Sequence, residues 1–345
     1  MTQPASQRKD GARVAIIGVG TIGSNVAFQV YNKLGKKELV EDIILIGRNE
    51  EKVACAAEEI HHSNDGSIST RLKHSTVVDS AAGCDIIVYS AGRTIKPHET
   101  REDLLRENGS IAADVRKGLS LKGTEIFITV TNPVDVLNTY FSRELGLPAN
   151  NVIGLGGMLD SARFRHTVVD YLRRALGVPL VPSDVKNAFV LGQHGAGLTP
   201  LFERLELPPD IPVLSSRAIE KIRKEMGEIV PRIIRVRKCA DFAPATHITR
   251  MIELLLQDTE SKIECCSLVP PMVFQKHYAG EVLDVSFGVP VTLKRGGARP
   301  ITIDILEDSR QRISNGVRDI WSNVQQLYDY VVGNERVGNL IRLGT

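Results

Sequence analysis

The chain has 345 residues, 42% of them hydrophobic, which is enough for a large core and more than one compact domain usually holds, so two domains are expected. Basic and acidic side chains nearly cancel, leaving a formal +2; this excludes the strong field of a nucleic-acid or membrane-surface binder and favours a small-molecule partner. No uncharged apolar run reaches the roughly 18 residues of a membrane span, and residues 1–11 are polar without an apolar signal region, so a cytoplasmic location without membrane association is expected.

In chain order, residues 13–17 read as a short buried strand, followed by a glycine-punctuated turn and a helical pattern over 24–33. Apolar runs of strand length follow at 43–46, 85–89 and 125–130, separated by helix-permissive stretches at 49–61 and 101–121. Strands alternating with helices imply βαβ units, hence a doubly wound parallel sheet of Rossmann type over residues 12–152. Past residue 150 the texture changes. Longer helices are expected at 161–176, at 215–238 with a kink at Pro231, and at 308–332. Residues 281–293 and 299–305 read as antiparallel strands turning at Gly296-Gly297, which makes 153–345 an α+β catalytic domain within an α/β protein.

Gly18-Val19-Gly20-Thr21-Ile22-Gly23 matches the pattern GxGxxG at the end of a predicted strand and the start of a predicted helix. The first glycine permits the tight turn, the second admits a pyrophosphate against the backbone, and the third lets helix and strand pack closely. A dinucleotide is the expected cofactor. The next strand should end in a carboxylate for the ribose 2′-hydroxyl, yet here it ends Gly47-Arg48. Gly47 leaves room and Arg48 offers a planar cation, as a 2′-phosphate requires, so NADP(H) is expected to be preferred. The alternative is an NAD(H) enzyme that manages without the carboxylate, with Arg48 a solvated surface side chain.

Hydride transfer needs a proton donor and acceptor, a clamp for the substrate carboxylate and a cation to polarise the carbonyl. Asp160 and Arg163 lie three apart on an expected helix and so share a face. His194 sits in the glycine-flanked turn 192–195, and Arg101 belongs to the polar segment 94–103, long enough for a lid. Taken singly, each has a plainer explanation as a surface histidine or a solvated ion pair.

Asp160-Ser161-Ala162-Arg163-Phe164-Arg165, Gln193-His194-Gly195, Thr131-Asn132-Pro133-Val134-Asp135 and Lys96-Pro97 with Thr100-Arg101 resemble, in order and spacing, the signature segments of the L-lactate/malate dehydrogenase family. The resemblance runs from about Val14 to the strand ending near Leu293. It implies that His194 is the acid/base with Asp160 hydrogen-bonded to it, that Arg163 grips the substrate carboxylate, and that Arg101 closes over the substrate. Asn132 would bridge substrate and nicotinamide ribose, while Ala91, Gly92, Asn108 and Val130 match cofactor-contacting positions beside the glycine turn, Gly47 and Arg48. A homodimer or homotetramer is implied as well.

The chain departs from the family in places. Six residues before Arg101, where lactate enzymes carry Gln and malate enzymes Arg, it has Ile95. A branched apolar group cannot pair with a second carboxylate, and burying that charge unpaired costs several kcal/mol. An apolar 2-oxo acid is therefore the expected substrate, unless Arg93, Lys96 or His98 replaces the missing cation, which would make NADP-dependent malate dehydrogenase the alternative. Gln193 stands where Glu is usual, and Ala196-Gly197 replace Asp-Ser. Residues 267–279 look longer than their family counterpart, and their sequence assigns them no function.

The five cysteines, Cys55, Cys84, Cys239, Cys265 and Cys266, show neither CxxC spacing nor a disulfide framework, so reduced thiols and no metal site are expected. Metal-dependent family-4 glycosidases share the overall build but need a Cys/His pair after the domain boundary, and no Cys lies between Cys84 and Cys239. A non-catalytic dinucleotide-binding regulator would have little reason to hold Asp160, Arg163, His194 and Arg101 together.

Overall fold

The structure, a computed structural model, describes residues 11–95 and 99–342, with side chains through Val331. Residues 96–98, which include the Lys96 and His98 weighed above, lie outside the described residues.

The first half is the expected βα alternation: β1 (Ala12–Ile17), α1 (Thr21–Gln29), β2 (Val40–Ile46), α2 (Glu50–His62), β3 (Arg71–Ser75), β4 (Ile86–Tyr89), α3 (Arg101–Lys117), β5 (Ile126–Thr129), α4 (Val134–Glu144) and β6 (Val152–Gly154). These six strands are parallel in the order β3-β2-β1-β4-β5-β6. Ile16, Ile43, Leu45, Ile87, Val88, Phe127 and Ile128 are wholly buried, as expected of a sheet with helices on both faces. Each such side chain contributes roughly 1.5–3 kcal/mol of burial. Strand order reverses between β1 and β4, and the crevice at such a switch point is where open α/β sheets bind ligands.

The second half adds α5 (Gly156–Leu176), β7 (Val190–Gly192), β8 (Leu198–Pro200), α6 (Ser216–Arg237), α7 (Phe242–Leu256), β9 (Glu264–Leu268), α8 (Met272–Ala279), β10 (Phe287–Lys294), β11 (Gly297–Pro300) and α9 (Glu307–Arg342). Its strands pair antiparallel and join the parallel set through one bridge, Gly154 to Ser267, so one sheet of 11 strands runs through the molecule. Phe164, Val168 and Leu172 of α5 meet Ile222 and Met226 of α6 in a second, smaller core.

Several expectations need correction. Of residues 281–293 only the part from Phe287 is strand, and β11 ends at Pro300, well short of 305. The hairpin loop is Arg295-Gly296, because Lys294 already pairs with Gly297, and Gly296 supplies the positive φ of 92°. Helix α1 begins at Thr21, three residues early, and α6 continues through Pro231. The helices α4 and α7 and the edge strand β3 carried no expectation; β3 reads Arg-Leu-Lys-His-Ser and is largely exposed, so no apolar alternation marks it. The long stretch 267–279 holds the end of β9 and all of α8. There Tyr278 donates its hydroxyl to Ile301 O and accepts from Ile303 N, and Gln275 accepts from Leu283 N and Asp284 N, so the stretch fastens neighbouring coil.

Candidate active site

The glycine turn links β1 to α1. Gly18 has φ 101°, and a Cβ there would lie 2.3 Å from Ala91 N; one on Gly23 would lie 1.9 Å from Gly18 O. Both positions thus exclude side chains on packing grounds alone. Gly20 differs: nothing stands within 4 Å of where its Cβ would be. It caps α1 without a side-chain bond, and the first turn, with Thr21 and Ile22, holds no acid, so its N–H groups are left for an anion. Arg48 is exposed at the end of β2, just before the Asn49 cap of α2. Gly47 is required by packing as well, since its Cβ would meet Val53 Cγ2 at 2.7 Å.

Hydrogen bonds tie this turn to the ends of β4 and β5. Ser90 Oγ donates to Gly18 O at 2.8 Å and Thr131 Oγ1 donates to Ala91 O at 2.9 Å. The buried Asn108 of α3 accepts from Arg93 N and donates to Asn132 O at 2.7 Å, its amide locking the 91–93 turn, with Gly92, onto the 131–132 turn. Asn132 itself is exposed, and Val130 is half-buried beside it.

The residues expected to do chemistry meet at the start of α5. Asp160 Oδ1 accepts from Arg163 Nη1 at 3.1 Å, and its Oδ2 stands 2.6 Å from His194 Nδ1. Asp160 is 3% exposed, Arg163 16% and His194 17%, so the carboxylate is enclosed while both cations keep an open side. Burial alone would raise the Asp160 carboxyl, but the His194 and Arg163 charges outweigh it and hold the group below the usual carboxylate range. Burial would likewise lower the His194 imidazole, and Asp160 reverses that to a net rise. An ionised Asp160 can only accept, so Nδ1 carries the hydrogen and Nε2 remains free.

A third acid completes the cluster and was not singled out from the sequence as a site residue. Asp135, on the first turn of α4, accepts the His194 backbone N–H at Oδ2, 2.6 Å away. Burial pushes its carboxyl up to about 6, against the Ser267 hydroxyl and His194, which favour the ionised form. The signal was its place in the Thr131–Asp135 segment.

Arg101 is the exposed first residue of α3, and a capping box formed by Thr100 and Asp103 fixes that helix start. It is not part of the Asp160 cluster, and Ile95 is half-buried on the segment before it. Arg93, a possible substitute for the missing cation, has Nε held by Glu107 and Nη1 by Glu99. The Gln193 and Gly197 departures fit one another: a Cβ at 197 would lie 2.3 Å from Gln193 Oε1, so the glutamine side chain folds into the space left by the missing one.

The model of the lactate/malate dehydrogenase NAD-binding domain matches residues 12–154. The malate dehydrogenase of Chlorobium luteolum is 30% identical over 326 residues, covering 91% of this chain and 98% of that protein. L-lactate dehydrogenase 2 of Bacillus cereus is 27% identical over 316 residues, 89% of this chain and 95% of that protein. The crystal structure of Cryptosporidium parvum lactate dehydrogenase, complexed with lactic acid and β-nicotinamide adenine dinucleotide, superposes with a TM-score of 0.81 at 26% identity, covering 93% of this chain and 99% of that one. With relatives matched along nearly their whole length and the acid–imidazole–guanidinium cluster in place, the chain belongs to the lactate/malate dehydrogenase family.

Proposed function

We propose that this protein is an oxidoreductase that reversibly moves hydride between NADP(H) and a 2-oxo or 2-hydroxy acid with an apolar side chain, NAD(H) being the weaker cofactor. One observation carries the reading: a single buried carboxylate, Asp160, holds an imidazole on one oxygen and a guanidinium on the other. The glycine turn suits a dinucleotide, with an uncapped helix start and open space over Gly20.

The nicotinamide, when bound, supplies the hydride chemistry that no side chain has. His194 gives its Nε2 proton to the substrate oxygen in reduction and takes the hydroxyl proton in oxidation, while Asp160 remains ionised and stabilises the imidazolium. Arg163 holds the substrate carboxylate with its planar fork. Arg101, carried by the start of α3, closes over the carbonyl and polarises it, and Asn132 fixes the substrate against the ribose. Arg48 binds the 2′-phosphate. We read residues 12–152 as the dinucleotide domain and 153–345 as the substrate domain, assembled as a homodimer or homotetramer.

Malate dehydrogenase activity is the second reading, because relatives such as that of Chlorobium luteolum carry this name. Ile95 and the engagement of Arg93 Nε and Nη1 by Glu107 and Glu99 weigh against it, although the buried Arg93 Nη2 has no partner among the described residues. The deciding experiment is kcat/KM for oxaloacetate, phenylpyruvate and 2-oxoisocaproate with NADPH and NADH. A preference for oxaloacetate above about tenfold selects the second reading. If neither cofactor is oxidised with any 2-oxo acid, both readings fall.

A further inference from the structure

The backbone of His194 is as firmly held as its ring. Its N–H points at Asp135 Oδ2, 2.6 Å away, from a different helix than the one that carries Asp160. Asp135 is 3% exposed, a setting in which a carboxylate is retained only if something nearby favours its charge. Among the described residues its other oxygen, Oδ1, is left without a well-formed hydrogen bond, as is the buried hydroxyl of Ser267 on β9, which lies near enough to favour the ionised carboxylate. Ser267 and His194 crowd the same spot: a Cβ on Gly156 would lie 3.0 Å from Ser267 Oγ and 3.0 Å from His194 Cβ. Thus Ser267 and His194 meet over the start of α5, the helix that carries Asp160, while Asp135 reaches the His194 turn from α4.

We propose that Asp135 is a positioning residue for proton transfer at His194: its carboxylate holds the His194 turn by the backbone N–H and places a second negative charge near the imidazole. This rests on the dehydrogenase reading for its functional meaning, though not for its physical content. The charged and polar groups facing His194 are Asp160 and Arg163 from α5, Asp135 from α4 and the Ser267 hydroxyl from β9. When the substrate hydroxyl releases its proton to Nε2, the imidazolium gains from both carboxylates, Asp160 at hydrogen-bond distance and Asp135 through the turn. A purely structural acceptor would need no charge, and an amide carbonyl would serve equally.

Asp135→Asn separates the two roles, because its amide oxygen still accepts the His194 N–H while the charge is gone. The imidazole pKa of the apo enzyme, read by NMR on selectively ¹⁵N-histidine-labelled protein, is expected to fall by about one unit, a tenfold loss of proton affinity. The pH limb of kcat/KM for 2-oxo acid reduction should move to lower pH by the same amount, and Asp135→Glu should restore part of it. An unchanged imidazole titration in a folded Asp135→Asn protein overturns the proposal. Should that variant not fold, the wild type answers instead: the His194 backbone amide shift must titrate with its carboxylate partner between pH 4 and 8, and a flat response overturns the proposal. Absence of any 2-oxo acid reduction would remove the dehydrogenase reading, and the apo titration would still decide whether Asp135 supports the imidazolium.

Discussion

Asp160 Oδ2 stands 2.6 Å from His194 Nδ1, and the same carboxylate takes Arg163 on its other oxygen. On the proposed reading, one group therefore aligns proton donor and substrate clamp. Asp160→Asn keeps the shape but removes the charge and turns an acceptor into a group that can donate to Nδ1, favouring the wrong tautomer. Reduction of the best 2-oxo acid should lose about 10²–10⁴-fold in kcat. If His194 is the proton donor, wild-type kcat/KM for reduction should be flat at low pH and fall as pH rises through the elevated imidazole pKa. In Asp160→Asn that fall should begin at lower pH; a limb at the wild-type position would mean that Asp160 does not hold the imidazolium.

Arg163 is a guanidinium half enclosed on α5, and its Nη1 is fixed by Asp160. Lysine would keep the charge and lose the fork, so Arg163→Lys should raise KM and depress kcat/KM for 2-oxo acids by orders of magnitude while leaving NADPH binding unchanged. Nearly intact kcat/KM would place the carboxylate clamp elsewhere.

The three glycines of the turn separate folding from binding. A Cβ on Gly23 meets a backbone oxygen at 1.9 Å, which no rotamer can relieve, so Gly23→Ala should destabilise by about 1–3 kcal/mol and lower the Tm. Gly20 has φ −92°, acceptable for alanine, and open space around it, so Gly20→Ala should melt like the wild type yet bind NADPH more weakly, because the methyl group stands where the pyrophosphate approaches. Calorimetry together with a nucleotide fluorescence titration measures both, and equal behaviour of the two variants would contradict the distinction.

The half of the chain ending near Gly154 was readable because its signal is local. Continuous Ile/Val runs at β1, β2, β4 and β5 can only be buried strands, and GxGxxG marks a specific turn. The edge strand β3 escaped because its exposed, charged residues look like coil. Beyond that point the pattern misled: residues 283–286 alternate like a strand, yet Leu283 N and Asp284 N bond to the Gln275 side chain and leave the sheet to begin at Phe287. The Asp160, Arg163 and His194 cluster was visible only as ordered fragments, since nothing in the spacing between Asp160 and His194 states their contact. Asp135 was quoted within a motif but could not be assigned, for its meaning depends on a backbone N–H 59 residues away.

Arg48 is exposed two residues past the end of β2, and the chain has no carboxylate at that tip. If it binds a 2′-phosphate, Arg48→Ala should raise KM for NADPH by roughly tenfold or more, the worth of one charge-assisted contact of about 1.5–3 kcal/mol, with NADH little affected. Equal effects on both cofactors would remove the phosphate role and leave Arg48 a solvated side chain. Asp at the same position should go further and invert the preference, since a carboxylate accepts from the ribose 2′-hydroxyl and repels the phosphate.

Ile95 stands six residues before Arg101 on the segment that precedes α3, and the nearby Arg93 is engaged by Glu99 and Glu107. A dicarboxylic substrate therefore lacks a free guanidinium from Arg93's Nε and Nη1 edge. Ile95→Arg supplies one. Oxaloacetate kcat/KM should rise by about 10–100-fold, as expected for one new charge-assisted pair, while phenylpyruvate and 2-oxoisocaproate lose their apolar wall and fall. The variant's specificity ratio is the informative quantity, because a general loss of activity lowers every substrate alike. A ratio that stays constant would show that position 95 does not face the substrate side chain, and the choice between apolar and dicarboxylic acids would then have to be made elsewhere in the pocket.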